Sequence, residues 1–406
     1  MTASKPRLRV GMIGYAFMGA AHSQAWRTVG RVFDLPFEVE MTALCGRTEA
    51  AVQESAARLG WASGETDWRA VVGRPDIDVI DICTPGDSHA PIAIAALDAG
   101  KHVLCEKPLA NSVAEAEAMA AAAERAAGRS MVGYNYRRVP ALALARQLVG
   151  DGRLGEIRHV RAQYLQDWLG DPQFPLTWRL RREVAGSGAL GDLGAHIVDL
   201  AQYLTGLQIE SVGALLQTFV TQRPLPARSS GLSADSGGSG SDGDGDSPVE
   251  LGPVTVDDAA LFTARFDAGA IGVFEATRFA SGRKNALRIE VNGERGSLAF
   301  DFESMNELSF FDGTEDGATA GFRRILATEP DHPYLGAWWP PGHLLGYEHT
   351  FTHELRDFIV AIAAGEPPSP SFADGLRVQR VLAAVEASAQ AAGAHVPVGP
   401  DKAPAR

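Results

Sequence analysis

The chain has 406 residues, enough for two or three domains with cores that need no disulfide or metal staple. Its 37 basic and 50 acidic residues leave a formal charge of −13, which repels phosphate backbones and anionic membranes and argues against nucleic acid or membrane as partners. Three cysteines (Cys45, Cys83, Cys105) build neither a disulfide framework nor a zinc site, and neither a signal-type apolar run nor a stretch of roughly 20 apolar residues occurs, so a cytoplasmic protein is expected.

In chain order, residues 8–13 read as a strand, 18–29 as a helix, 39–45 as a strand, 48–59 as a helix, 79–83 as a strand, 91–99 as a helix, 102–105 as a strand, 112–127 as a helix and 131–133 as a strand. Near-continuous apolar strands alternating with helices predict a parallel sheet covered on both faces, the doubly wound α/β pattern, over residues 1–133. Beyond about residue 150 the rhythm changes. Residues 157–165, 211–220, 259–266, 270–277, 286–293, 297–302 and 307–311 read as strands, several alternating polar with apolar as in Arg288-Ile289-Glu290-Val291. One-sided alternation predicts an antiparallel sheet with one face covered, so residues 134–395 are expected to form an α+β domain, with helices over 349–364 and 373–391 and a tail at 396–406. Within it, 13 of the 21 residues from 228 to 248 are Gly or Ser and four are Asp, which predicts a flexible loop inserted between two strands.

Gly14-Tyr15-Ala16-Phe17-Met18-Gly19 lies between the first strand and the first helix, where a dinucleotide loop belongs: Gly14 for the tight turn, Ala16 at the close approach to the pyrophosphate, and the helix-start amides of Phe17 and Met18 facing an anion. Thr84-Pro85, with His89 beyond, and Glu106-Lys107-Pro108 follow strand C-termini, the edge at which open α/β sheets bind ligands. Read by itself, His89 is a helix-start residue and Lys107 a surface lysine. Gly191-Asp192-Leu193-Gly194-Ala195-His196 opens a predicted helix that places Asp192 and His196 on one face with Asp199 nearby, either as a proton relay or as a cap and its partner. His343, His349 and His353 lack the order of a helical metal motif, so no metal is expected. Trp338 to His343 is read as a substrate-edge or interface segment.

Taken together, these motifs, in this order and at these spacings, resemble the Gfo/Idh/MocA oxidoreductases, the glucose–fructose oxidoreductase and inositol dehydrogenase family, over nearly the whole chain. The resemblance implies an N-terminal Rossmann domain binding NAD or NADP and a second domain whose open-faced antiparallel sheet holds a sugar or cyclitol. It implies that Gly14, Ala16, Phe17, Met18, Thr84, Pro85, His89, Glu106 and Lys107 form the cofactor site, that Lys107 polarises the reacting hydroxyl, and that His196 and Asp192 handle its proton. Asn135-Tyr136-Arg137-Arg138, Tyr164-Leu165-Gln166-Asp167-Trp168, Trp178-Arg179 and Ala185 to Asp192 look closest to the branch acting on levoglucosan-like pyranoses, which implies sugar contacts from Tyr136, Arg137, Gln166 and Trp168. The chain departs from the family at Ala16 and at Cys45-Gly46-Arg47-Thr48, where no acid follows the second strand; Arg47 there favours NADP or dual use. By analogy with the family, a homodimer or homotetramer is expected. Two other readings stand beside the dehydrogenase: a sensor of sugar or dinucleotide without turnover, and an NAD-dependent glycoside hydrolase on the same fold.

Overall fold

In the computed structural model, which describes residues 5–226 and 250–399, β1 (Arg7–Ile13) is followed by α1 (Phe17–Val32), β2 (Glu38–Cys45), α2 (Glu49–Leu59), β3 (Ser63–Glu65), α3 (Trp68–Gly73), β4 (Val79–Ile82), α4 (His89–Asp98), β5 (His102–Glu106), α5 (Val113–Arg125) and β6 (Ser130–Gly133). The strands pair in parallel in the order β3-β2-β1-β4-β5-β6. This is the Rossmann order, in which the chain reverses beside β1 and leaves a crevice at the strand C-termini. The apolar runs of β1, β4, β5 and β6 are buried because helices cover both faces. Sequence pattern missed β3 and α3, at three and six residues too short to show a period.

The chain continues through α6 (Pro140–Gly150), β7 (Ile157–Leu165), α7 (Arg182–Ala185), a π-helical turn at Leu190–Gly194, α8 (Ala195–Thr205), β8 (Ile209–Gln217), β9 (Gln222–Pro224), β10 (Leu251–Pro253), β11 (Ala259–Phe266), β12 (Ile271–Thr277), β13 (Ala286–Gly293), β14 (Gly296–Asp301), β15 (Glu307–Asp312), β16 (Arg323–Leu326), α9 (Tyr347–Ala364), α10 (Phe372–Gln390) and β17 (Val396–Pro397). Nine of these strands form one sheet, β16-β15-β14-β13-β7-β12-β11-β8-β17. The sheet is mixed, not antiparallel throughout, because β12 runs parallel to β7. Alternation reports which face of a strand is buried, not the direction of a neighbour more than a hundred residues away, so the sequence could not show this pair. Val396–Pro397, expected to belong to the tail, pairs with Val212 and Ser211 of β8. The Gly/Ser/Asp segment 228–248 lies outside the described residues.

Helices α8 and α10 cover one face of the large sheet. Helix α9 returns to the Rossmann domain, laying Phe351, Leu355, Phe358 and Ile359 against Trp26 and Val29 of α1. Among the described residues no helix is long and apolar enough to cross a membrane.

Candidate active site

A cleft of about 720 Å³ opens between the C-terminal ends of β1, β4 and β5 and the second domain. Its Rossmann wall begins at Gly14, which turns the chain out of β1 with φ of 104°, a left-handed conformation that glycine adopts without cost. A Cβ there would lie 2.7 Å from the Cys83 carbonyl oxygen, and one on Gly19 would lie 2.2 Å from the Gly14 carbonyl oxygen, so both positions need glycine for the helix to close on the strand. No side chain caps α1, and Ala16, Phe17 and Met18 line the cleft. The first amides of the helix therefore face it without intrahelical partners, an arrangement that fits a dinucleotide pyrophosphate. Thr84 and Pro85 line the adjoining strand end, while Arg47 is exposed at the turn after β2.

Two residues expected at the cofactor, His89 and Glu106, line the cleft and are also held by the protein. Both ring nitrogens of buried His89 meet backbone carbonyls, Nε2 that of Thr84 at 2.8 Å and Nδ1 that of Pro108 at 3.0 Å, so His89 joins two strand-end loops. The nearly buried Glu106 carboxylate has Oε1 2.9 Å from His22 Nε2 and Oε2 accepting the Lys107 backbone N–H at 3.1 Å.

Lys107 extends from the end of β5 and donates from Nζ to the Asp192 carbonyl at 3.0 Å and to Asp192 Oδ1 at 3.2 Å. Asp192 belongs to the π turn, where the Ala195 N–H reaches back five residues to the Leu190 carbonyl. Such insertions recur at functional sites because they push a helix residue outward. The turn is anchored by Asp257, whose two carboxylate oxygens each accept at 2.7 Å, from the Gly188 and Leu190 N–H groups. Arg278, fully buried, donates to the Asp257 carbonyl at 3.2 Å and places Nη1 3.7 Å from Asp192 Oδ2. Burial raises the Asp192 carboxyl, but Lys107, Arg278 and Arg179 more than reverse this and hold it well below the usual carboxylate range.

His196 follows on α8, its ring 4.6 Å from that of Tyr136 and 5.8 Å from that of Tyr164. Burial and then the Lys107 ammonium push the imidazole well below its ordinary value, with Asp192 opposing. It is therefore neutral at pH 7 and able to accept a proton. Asp192, held ionised, is hydrogen-bonded to Lys107, and it lines the same cleft as His196.

The opposite wall is polar and aromatic. Tyr136 and Tyr164 hydroxyls meet at 2.6 Å, Tyr164 and Gln166 each donate to Asn285 Oδ1 at 2.7 Å, and Trp168 Nε1 donates to Gln166 Oε1 at 2.9 Å. Tyr164, Gln166 and Trp168 are alternate residues along and just beyond β7, which turns them to one side. Arg137 is not in this wall. Its guanidinium grips buried Asp199 through Nε at 2.8 Å and Nη2 at 2.5 Å, with Nη1 on Ser369 at 3.1 Å, so Arg137 and Asp199 form a structural pair outside the cleft. Nor does the histidine group converge: His353 bonds Trp338 and the Arg138 carbonyl, His349 accepts the Gly346 N–H, and the Trp338 segment packs on Phe33 rather than lining the cleft. Sequence reasoning missed Arg278, Asn285, Lys284 and Tyr347, which line the cleft from positions with no motif around them.

Residues 8–134 match the oxidoreductase family with an NAD-binding Rossmann fold, and residues 142–299 match the GFO/IDH/MocA C-terminal domain. The chain is 42% identical to levoglucosan dehydrogenase of Pseudarthrobacter phenanthrenivorans, covering 96% of this chain and 98% of that one. It superposes on an oxidoreductase domain protein from Kribbella flavida with a TM-score of 0.90 and 62% identity, over 97% of this chain and 100% of that one. A levoglucosan dehydrogenase complex with NADH and levoglucosan superposes with a TM-score of 0.88 and 40% identity, over 97% and 99%. The dinucleotide loop, the strand-end lysine and the sheet domain that faces them thus place the chain among the NAD-binding oxidoreductases: it belongs to the Gfo/Idh/MocA family.

Proposed function

We propose that the protein is an NAD-dependent dehydrogenase of a neutral pyranose, levoglucosan or a close relative, acting on a ring secondary hydroxyl. The observation that carries this is the pairing of Lys107 and a neutral His196 with a wall of Tyr136, Tyr164, Gln166, Trp168 and Asn285 across one cleft. Bound nicotinamide supplies the hydride acceptor. The Lys107 ammonium polarises the substrate hydroxyl oxygen, His196 takes the hydroxyl proton, and Asp192 keeps Lys107 aimed. The Trp168 and Tyr136 rings offer apolar faces to the sugar C–H groups, and the Gln166 and Asn285 amides bind hydroxyls without demanding a charged partner.

The test compares levoglucosan, a free hexose, inositol, a uronic acid and a sugar phosphate at equal concentration with NAD, following release of reduced cofactor. The neutral pyranoses are expected to lead, with Trp168→Ala raising KM for them. A lead for either anionic compound, with Trp168→Ala harmless, overturns the reading.

Arg47 extends the proposal to NADP. No acid directly follows β2 in Cys45-Gly46-Arg47-Thr48, and a guanidinium can hold a 2′-phosphate through paired hydrogen bonds. Arg47→Ala is expected to weaken NADP at least tenfold more than NAD in direct titrations. Equal losses refute the assignment.

Arg278→Met removes one of the cations that hold Asp192 ionised, leaving Lys107 and Arg179. The Asp192 carboxyl is then expected to titrate at higher pH than in the parent, read by NMR of the labelled side chain. An unchanged titration removes Arg278 from the groups that hold the carboxylate.

We further infer a homodimer or homotetramer that covers the open sheet face. Leu215 lies opposite Leu261 there, with Val273 and Ile271 on the same side, and all four are between 44% and 66% exposed. Clustered exposed apolar side chains mark an association surface. Light scattering decides the state.

A further inference from the structure

Reaching from the cleft floor at Glu106 into the Rossmann core, outside the sugar wall, lies a charged cluster that the proposed reaction does not use. His22 of α1 is 1% exposed. Its Nδ1 is 2.9 Å from Asp81 Oδ2 and its Nε2 2.9 Å from Glu106 Oε1. A ring nitrogen can donate to a carboxylate only if it carries a proton, and both nitrogens face one, so the geometry calls for the imidazolium. Asp81 on β4 also accepts from Trp26 Nε1 at 2.7 Å and from Cys83 Sγ at 3.5 Å. Glu354 of α9 is buried beside the group, with both carboxyl oxygens lacking hydrogen-bond partners among the described residues. Burial, only partly offset by His22, pushes its carboxyl up to about 8, so it is neutral at pH 7 and adds no third negative charge.

A buried ion triad contributes little net stability relative to apolar packing, because desolvation consumes most of the attraction. Its place in the fold gives it another use. Asp81 sits in the strand leading to Thr84 and Pro85, His22 in the helix whose first turn faces the cofactor, and Glu106 immediately before Lys107, whose backbone N–H it accepts. We propose that His22 is a positioning residue: by clamping Asp81 and Glu106 it locks α1, β4 and β5 together and fixes the backbone from which Lys107 reaches the reacting hydroxyl. Burial lowers the His22 imidazole, but Asp81 and Cys83 more than reverse this and keep it well above its ordinary value, as the clamp requires.

This inference rests on the role of Lys107 proposed above, and its test reads Lys107 both with and without turnover. His22→Gln keeps one amide donor and loses the second carboxylate contact. In the full-length enzyme it is expected to lower kcat per folded molecule 10- to 100-fold, with sugar KM and NAD affinity within threefold, and to raise the deuterium isotope effect of a carbon-deuterated sugar towards its intrinsic value. Trp26→Phe, which loosens Asp81 from farther out, is expected to give the same pattern at 2- to 5-fold and covers the case in which His22→Gln does not fold. Independently of any substrate, the rate at which an amine reagent labels Lys107, read by peptide mass spectrometry, is expected to rise threefold or more in either variant. A thermal midpoint that falls while kcat per folded molecule and Lys107 labelling stay within twofold of the parent overturns the proposal and leaves the triad a packing device. If the parent oxidises no sugar, the dehydrogenase reading fails, while the labelling arm still decides whether His22 positions Lys107.

Discussion

Lys107→Ala is expected to lower kcat by about 10²- to 10³-fold, the usual loss when a preorganised donor aimed at a developing oxyanion is removed. In the proposed reaction, as hydride leaves carbon and the hydroxyl proton goes to His196, negative charge builds on the substrate oxygen. Lys107 is fixed for that moment by two hydrogen bonds to Asp192 and is only 15% exposed, so little reorganisation is needed when the charge appears. The effect belongs to the transition state, so NAD affinity is expected to stay within a few-fold and the loss to fall on kcat. Removing the ammonium also takes one cation from Asp192 and one repulsive charge from His196, so both groups would titrate at higher pH in the variant. Steady-state kinetics across pH, paired with dinucleotide titration, reads all of this. Turnover within a few-fold of the parent would remove Lys107 from the active site.

The Rossmann half was legible because its signals are local. Strands buried on both faces read as apolar runs, and Gly14 and Gly19 mark a turn and a close approach that no other residue tolerates. The strand-end residues Thr84 and Lys107 followed from the rule that ligands sit at strand C-termini. The site's other half depends on long-range pairing. Asp257 supports the π turn under Asp192 from about 65 residues downstream, and Arg278 and Asn285 arrive on the connection between β12 and β13, strands whose order cannot be read from alternation. The motif around Asp192 was visible but its geometry was not. A regular helix would place Asp192 over His196, whereas the π turn sends it to Lys107. For Arg137 the sequence showed a charged residue beside the site, and its side chain turned out to be buried outside the cleft with a partner contributed by another element.

Arg137 separates a sugar contact from a structural ion pair by a large expected stability effect. Arg137→Ala leaves the Asp199 carboxylate buried at 1% exposure without its fork of two hydrogen bonds, and breaking such a pair costs about 3–5 kcal/mol. The lost contact with Ser369 Oγ and the stacking of the guanidinium on Tyr203, 4.8 Å from its ring centre, act in the same direction. Replacing both partners, as in Arg137→Met with Asp199→Leu, removes the uncompensated charge and keeps the volume, so most of the stability should return. Chemical denaturation of the two variants and the parent measures this, while turnover per folded molecule and sugar KM are expected to stay within about twofold. A single variant with parental stability and a sharply raised sugar KM would place Arg137 on the substrate instead.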